Sequence, residues 1–272
     1  MNNVHFGYEG FYQFEKRKVL GVDASGEQIL SEPEIVLPWF PNLITDVGLD
    51  EIEINGAQLT ACRIGTGNVA PNITDQFLQN QVGATTTAGT GNGVTGVAVD
   101  NSYIYTRQSR RFAAGTIAGL NLSEVAMARQ VGAATPVFSR ALLTDALGNP
   151  LTIVLLPDEV LDVVYELRLY ITNADTVVNV TIDGTPATVT MRPHAWPNGT
   201  AWLGKANNMG NGIFPSHLLG GTGWMGTRET QLAIGVGYGS DAGNGNTGPT
   251  GNYKAPYVPG SRSRTMTVNV GL

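Results

Sequence analysis

The chain has 272 residues, a formal net charge of −6 at pH 7 and 14% charged residues, well under the roughly 25% usual for soluble globular domains. Its acidic balance, with no extended cluster of Lys and Arg, excludes a phosphate-reading nucleic-acid surface, and a single cysteine excludes an intrachain disulfide framework. Low charge with ordinary hydrophobicity (42%) implies a surface partly covered by other subunits, and the length suits one large all-β domain or two smaller ones.

In chain order, residues 6–22 mix aromatics with charges, and Asp23-Ala-Ser-Gly26 turns the chain into residues 27–30, which predicts a hairpin or docking arm over 1–41. Pro38-Trp-Phe-Pro41 reads as a break, after which Asn42 is positioned to cap a short helix running to about Ile52, weakened by Gly48. A second short helix is expected at Thr74–Gln81, and the Gly- and Thr-rich stretch 83–96 reads as loop. Strands are predicted at Tyr103–Phe112 and Asn121–Ala128. Between Phe138 and Tyr170 three apolar runs follow. Val137–Leu143 and Leu151–Leu156 form a hairpin about a turn in which Gly148 and Asn149 tolerate positive φ and Pro150 needs no donor.

The third run, Val160–Ile171, places Val163, Tyr165, Leu167, Leu169 and Ile171 on one side and Val164, Glu166, Arg168 and Tyr170 on the other, the period of a half-buried strand. A helical first turn after Pro157, over Asp158–Val164, is the competing reading. Val177–Asp183 and Ala187–Arg192 pair across Asp183-Gly184. These short strands predict a mainly β fold, an antiparallel β-sandwich or jelly roll over 42–194 with one or two short N-terminal helices. Residues 195–272 are rich in Gly, Asn and Trp, with strands expected only at Gln231–Tyr238 and Thr265–Val270, and read as extended loops packed on the core.

No constellation points to catalysis, a cofactor or a metal. The G-x-G-x-x-G windows at Gly91–Gly96 and Gly243–Gly248 lack the strand and helix that aim amides at a pyrophosphate. Gly199–Ala206 fits a P-loop until Ala206 stands where a magnesium-holding hydroxyl is required. His5, His194 and His217 have no metal spacing, and Cys62 sits in an apolar context as a small core residue. The acidic groups Asp50, Glu51 and Glu53, and Asp158, Glu159 and Asp162, read as a helix end and a turn. The basic groups Arg107, Arg110 and Arg111, and Lys16, Arg17 and Lys18, read as a solvated strand face or subunit salt bridges. Trp196, Trp202 and Trp224, with Trp39 and Phe40, are the candidate interface or glycan contacts, because aromatic rings supply large anchoring area. No apolar run reaches about eighteen residues, and the N-terminus has no signal-peptide pattern, so no membrane span is expected and synthesis is expected in the cytosol.

Four stretches in order, Asn42-Leu-Ile-Thr-Asp46-Val-Gly-Leu49-Asp50, Ile64-Gly-Thr-Gly-Asn-Val-Ala-Pro71, Phe112-Ala-Ala-Gly115 with Asn121-Leu-Ser-Glu-Val125, and Phe138-Ser-Arg-Ala-Leu142 with Asp145–Pro150, resemble virion structural proteins of tailed bacteriophages. The resemblance covers residues 42–170. It implies a non-enzymatic tail, collar, neck or fibre-base subunit that assembles in the bacterial host as a homo-oligomeric ring or trimer, beside other virion proteins. It carries over no catalytic residue. A receptor-binding module for a host-surface glycan and a capsid decoration protein are the alternatives.

Overall fold

The computed structural model describes residues 6–54, 59–98, 103–132, 134–145, 147–171, 176–182, 185–191, 253–254, 260 and 266–267. In chain order these form β1 (Phe6–Val22), β2 (Gln28–Leu30), β3 (Glu34–Pro41), β4 (Leu43–Ile44), helix α1 (Asp46–Ile54), β5 (Ala61–Gly65), β6 (Gln81–Thr85) and β7 (Val94–Val97). There follow β8 (Tyr103–Phe112), β9 (Glu124–Ala128), β10 (Val137–Leu142), β11 (Glu159–Ile171), β12 (Thr176–Ile182), β13 (Thr185–Met191), β14 (Tyr253–Lys254) and β15 (Met266–Thr267). The fold is mainly β, as its repeated short apolar runs predict, and the sheets are antiparallel.

The first sheet has the order β2-β1-β11-β8-β7, with β3 also paired to β1. The second has the order β4-β10-β9-β5-β6. After β6 the chain crosses to β8: the amide of Arg111 donates to Thr87 (2.8 Å) and that of Gly89 to Ser109 (2.9 Å), before β7 completes the edge. The stretch 83–96, expected as loop, therefore takes in the end of β6 and most of β7. Its small residues serve packing and turning, since a Cβ on Gly83 would press on Ile117, and Gly91 and Gly93 take positive φ in the turn.

One core draws on both sheets: Tyr12, Phe14, Leu37, Phe40, Phe112, Leu161, Val163, Tyr165, Leu167 and Leu169 from the first, and Ile44, Cys62, Ile64, Val125, Met127 and Phe138 from the second. Each fully buried large aliphatic or Phe side chain contributes about 1.5–3 kcal/mol. Between the sheets the Tyr12 hydroxyl and Ser139 Oγ share a 2.8 Å hydrogen bond, and the Phe138 and Tyr165 rings meet edge to face at 6.3 Å. The side chains of Asn42 and Tyr165 close over Gly10, where a Cβ would collide with both.

Local chemistry explains several departures from the expected elements. Helix α1 is capped by Thr45, whose Oγ1 accepts from the Gly48 amide at 3.1 Å, because Asn42 is drawn over Gly10 and Leu43–Ile44 are drawn into pairing with β10. No helix forms at 74–81. There the Asn72 side chain accepts from the Thr74 amide and hydroxyl, and Asp75 accepts from the Asn72 amide, an Asx-type turn that competes with the helix. Pro38 lies within β3 and does not end it, since β3 pairs with β1 through register shifts that spare the missing donor. The Asp145–Pro150 turn forms as expected, with Gly148 at φ 83° and the Asp145 carboxylate accepting from the Leu147 and Asn149 amides. Its return arm, 151–156, is no strand; it makes single bridges such as Leu122 to Ile153.

β12 and β13 pair as predicted, with Ile182 opposite Thr185. The expected strand at 231–238 lies outside the described residues, and Met266–Thr267 of the expected terminal strand pairs with Tyr253–Lys254.

Buried arginines of both sheets tether the surrounding loops. Arg63 donates to the carbonyls of Gln130, Gly132 and Thr135 at 2.6–3.1 Å, and Arg110 donates to the Leu59 carbonyl and to Asn92 Oδ1, both at 2.7 Å. Glu124, fully buried, accepts from the amides of Gly67, Gln79 and Asn80 and from Arg140, which also grips Asp75.

Two expectations follow. Gly48 packs against the Phe138 carbonyl so closely that a Cβ would collide with it. Gly48→Ala should therefore lower the unfolding free energy by about 1–3 kcal/mol despite its better helix propensity, read from the denaturant midpoint; stabilisation would refute the close contact. Burial raises the Tyr12 hydroxyl well above its ordinary value and pushes Tyr165 up to about 12. The neutral phenols are the native form, so this stabilisation is complete below the unfolded phenol value of about 10 and is lost as pH rises towards 12. Two tyrosines should ionise only together with loss of native circular dichroism.

Candidate functional site

β11 lies between β1 and β8, and its two faces are built differently. The inward face is the aromatic and aliphatic one already described. The outward face was expected to be half exposed, yet Asp162, Val164 and Glu166 are buried there, the two carboxylates at 1% exposure. Alternation explains what covers them. The register sets Glu15 and Arg111 beside Asp162, Phe11 and Arg107 beside Glu166, and Glu9 and Tyr105 beside Arg168.

Arg111 takes Asp162 in a fork, Nε at 2.7 Å and Nη2 at 2.5 Å, with Arg17 at 3.9 Å. The hydrogen bond to Asp162 raises the Arg111 guanidinium above its usual value. Glu166 accepts from two arginines through different oxygens, Arg107 Nε at 2.5 Å and Arg168 Nε at 2.6 Å. Each of these guanidiniums lies between two aromatic rings. Arg107 is 5.3 Å from the Trp39 centroid and 4.8 Å from that of Tyr105; Arg168 is 4.0 Å from Phe11 and 4.7 Å from Tyr103. Tyr170 continues the row at 5.0 Å from Tyr103. The result is a layer of stacked cations and rings over a carboxylate, half open to solvent and suited to binding through stacking and donated hydrogen bonds.

Of the candidate contact residues, Trp39 is part of this layer. Phe40, its neighbour, turns inward and packs on Tyr12 and Phe14 at 5.8 and 5.9 Å, so it offers no surface. Trp196, Trp202 and Trp224, the three histidines, the P-loop-like stretch and the second glycine window lie outside the described residues. The first window is a turn along the edge of β8 that leads into β7, and its Asn92 side chain accepts from the Ser109 amide and from Arg110. The acidic groups divide among separate partners: Asp158 with Lys18, Glu159 with Lys16, Glu51 with Arg129, and Asp50 with the Gly260 amide. The basic clusters are likewise engaged within the chain. Among the described residues no three His, Cys, Asp or Glu converge as a metal set, and no helix is long and apolar enough to cross a membrane. Cys62 is buried, which raises its thiol.

Reading the charges in runs along the chain missed Arg107, Glu166 and Arg168 as a unit. Parity was the available signal: Asp162 and Glu166 share one face of their strand at the same four-residue spacing as Arg107 and Arg111 on theirs. Comparison of the chain with family models, curated proteins and solved structures finds no match.

Glu166→Ala should lower stability by about 2 kcal/mol, less than the roughly 3–5 kcal/mol of a fully desolvated pair, because Arg107 is 37% exposed and both cations keep their rings. Arg107→Gln should cost less, since Arg168 still neutralises the carboxylate. Denaturant unfolding orders the two variants, and an unchanged Glu166→Ala midpoint would show that the layer does not stabilise the sheet.

Proposed function

We propose that this protein is a non-enzymatic structural subunit of a tailed-phage particle, acting in a tail, neck, collar or fibre base by homo-oligomeric assembly. In this reading the two sheets form a β-sandwich, jelly-roll-like scaffold, and the subunit belongs to the virion. The ordered resemblance over residues 42–170 supports it. The observation that carries it is the end of the first sheet, where β1, β2 and β3 expose Leu20 and Val22 (64%), Ile35 (57%) and Ile29 (48%). Pairing sets Gly21 beside Ile29 and Val22 beside Gln28, so the hairpin end exposes aliphatic side chains on both its faces, with Ile35 farther down the same edge beside Glu15, and such an end is a surface to be covered. With few charges to keep an isolated copy soluble, a neighbouring subunit is the economical cover.

Native mass measurement on the purified chain should give a closed oligomer, and Leu20→Ser with Ile29→Ser should reduce it to a monomer with an unchanged melting point. A stable monomer as wild type, or absence of the chain from purified phage particles, would overturn the reading.

A further inference from the structure

We propose that the β1–β2 hairpin tip of one copy seats on the arginine–aromatic face of the next, so that the subunits join head to tail. This rests on the assembly reading above and specifies its contact.

The two surfaces match in charge and in shape of chemistry. The tip is apolar on both faces, with Val22 on one and Ile29 on the other and Leu20 exposed beside them, and it carries the exposed carboxylates Asp23, Glu27 and Glu32, while its one nearby lysine, Lys18, is engaged by Asp158 at 3.1 Å. The face presents half-exposed rings of Phe11, Trp39, Tyr103 and Tyr105 and two guanidiniums that share the single buried carboxylate of Glu166. Among the described residues Arg107 donates to Glu166 through Nε, which leaves its terminal nitrogens without a hydrogen-bond partner, and the exposed Glu9 lies across from Arg168. Donors therefore stand ready for carboxylates beside rings ready for aliphatic side chains.

The same strand separates the two surfaces. Val22 lies eleven residues beyond Phe11 in β1, about 36 Å of extended chain, so a tip cannot reach the face of its own copy. Tip against tip would bring the acidic rims together and face against face would oppose guanidiniums, each a like-charge contact. Tip on face is the pairing that both charge patterns favour, and such a heterologous contact generates rings when its rotation closes.

The native Cys62 is fully buried, so introduced cysteines report the contact. An Ile29→Cys chain and a Tyr103→Cys chain, co-expressed and mildly oxidised, should yield a disulfide-linked species of roughly twice 28.8 kDa that neither chain forms alone. Adding Glu27→Lys and Glu32→Lys to the Ile29→Cys chain should abolish the link while its melting point is retained. Self-linking of the Ile29→Cys chain to the same extent, or an intact oligomer without any mixed link, would overturn tip-on-face docking and leave assembly standing. A monomeric wild type would remove the assembly reading itself.

Discussion

β11 is flanked along its length by β1 and β8, so water reaches neither edge of its backbone and little of either face. A strand so enclosed cannot carry Asp162 and Glu166 unless its neighbours bring cations, because an unpaired buried carboxylate costs several kcal/mol. The rest of the first sheet answers that requirement. Arg107 and Arg111 come from β8, Arg17 from β1 and Arg168 from β11 itself, and aromatic rings from β1, β3 and β8 hold two of the guanidiniums in place. Pairing register and charge pairing reinforce each other. A one-residue slip would put carboxylates into the aliphatic core and leave arginines without acceptors.

The second sheet uses the same side chain for a different end. Arg63 of β5 and Arg140 of β10 are buried and donate to loop carbonyls and to the carboxylates of Glu124 and Asp75, and Arg110 of β8, in the first sheet, donates likewise to the Leu59 carbonyl and to Asn92. Irregular chain around the sheet is thereby given hydrogen-bond partners that a sheet edge alone does not supply. Arginine suits this because its fork reaches several acceptors at fixed angles. Among the described residues the arginines and lysines are largely engaged within the chain.

How much of this was legible follows the range of each interaction. The strands at 103–112, 137–142 and 159–171 announce themselves by β-branched and aromatic periodicity, and the turn at 145–150 by residues whose roles are complete within a few positions. The start of α1 was misplaced because Asn42 is as good a local cap as Thr45, and only Gly10 and β10 show which is free to act. The arm of 151–156 has strand-like residues but no neighbouring strand to pair with over its length. The low-complexity stretch 83–96 hid strands because its glycines are there for packing against Ile117 and for two left-handed positions in one turn.

By itself the sequence determined a mainly β chain with a low fraction of charged residues, and it determined the β1–β2 and β12–β13 hairpins and the aliphatic side of β11, properties set by neighbours a few residues apart. Tertiary structure decided which charges meet and which aromatic faces in: Arg107 finds Glu166 across 59 residues, and Trp39 and Phe40, adjacent in the chain, go to opposite surfaces of one sheet. The physical reason is that alternation assigns a residue to a face, whereas only pairing with strands distant in sequence says what lies beside it there.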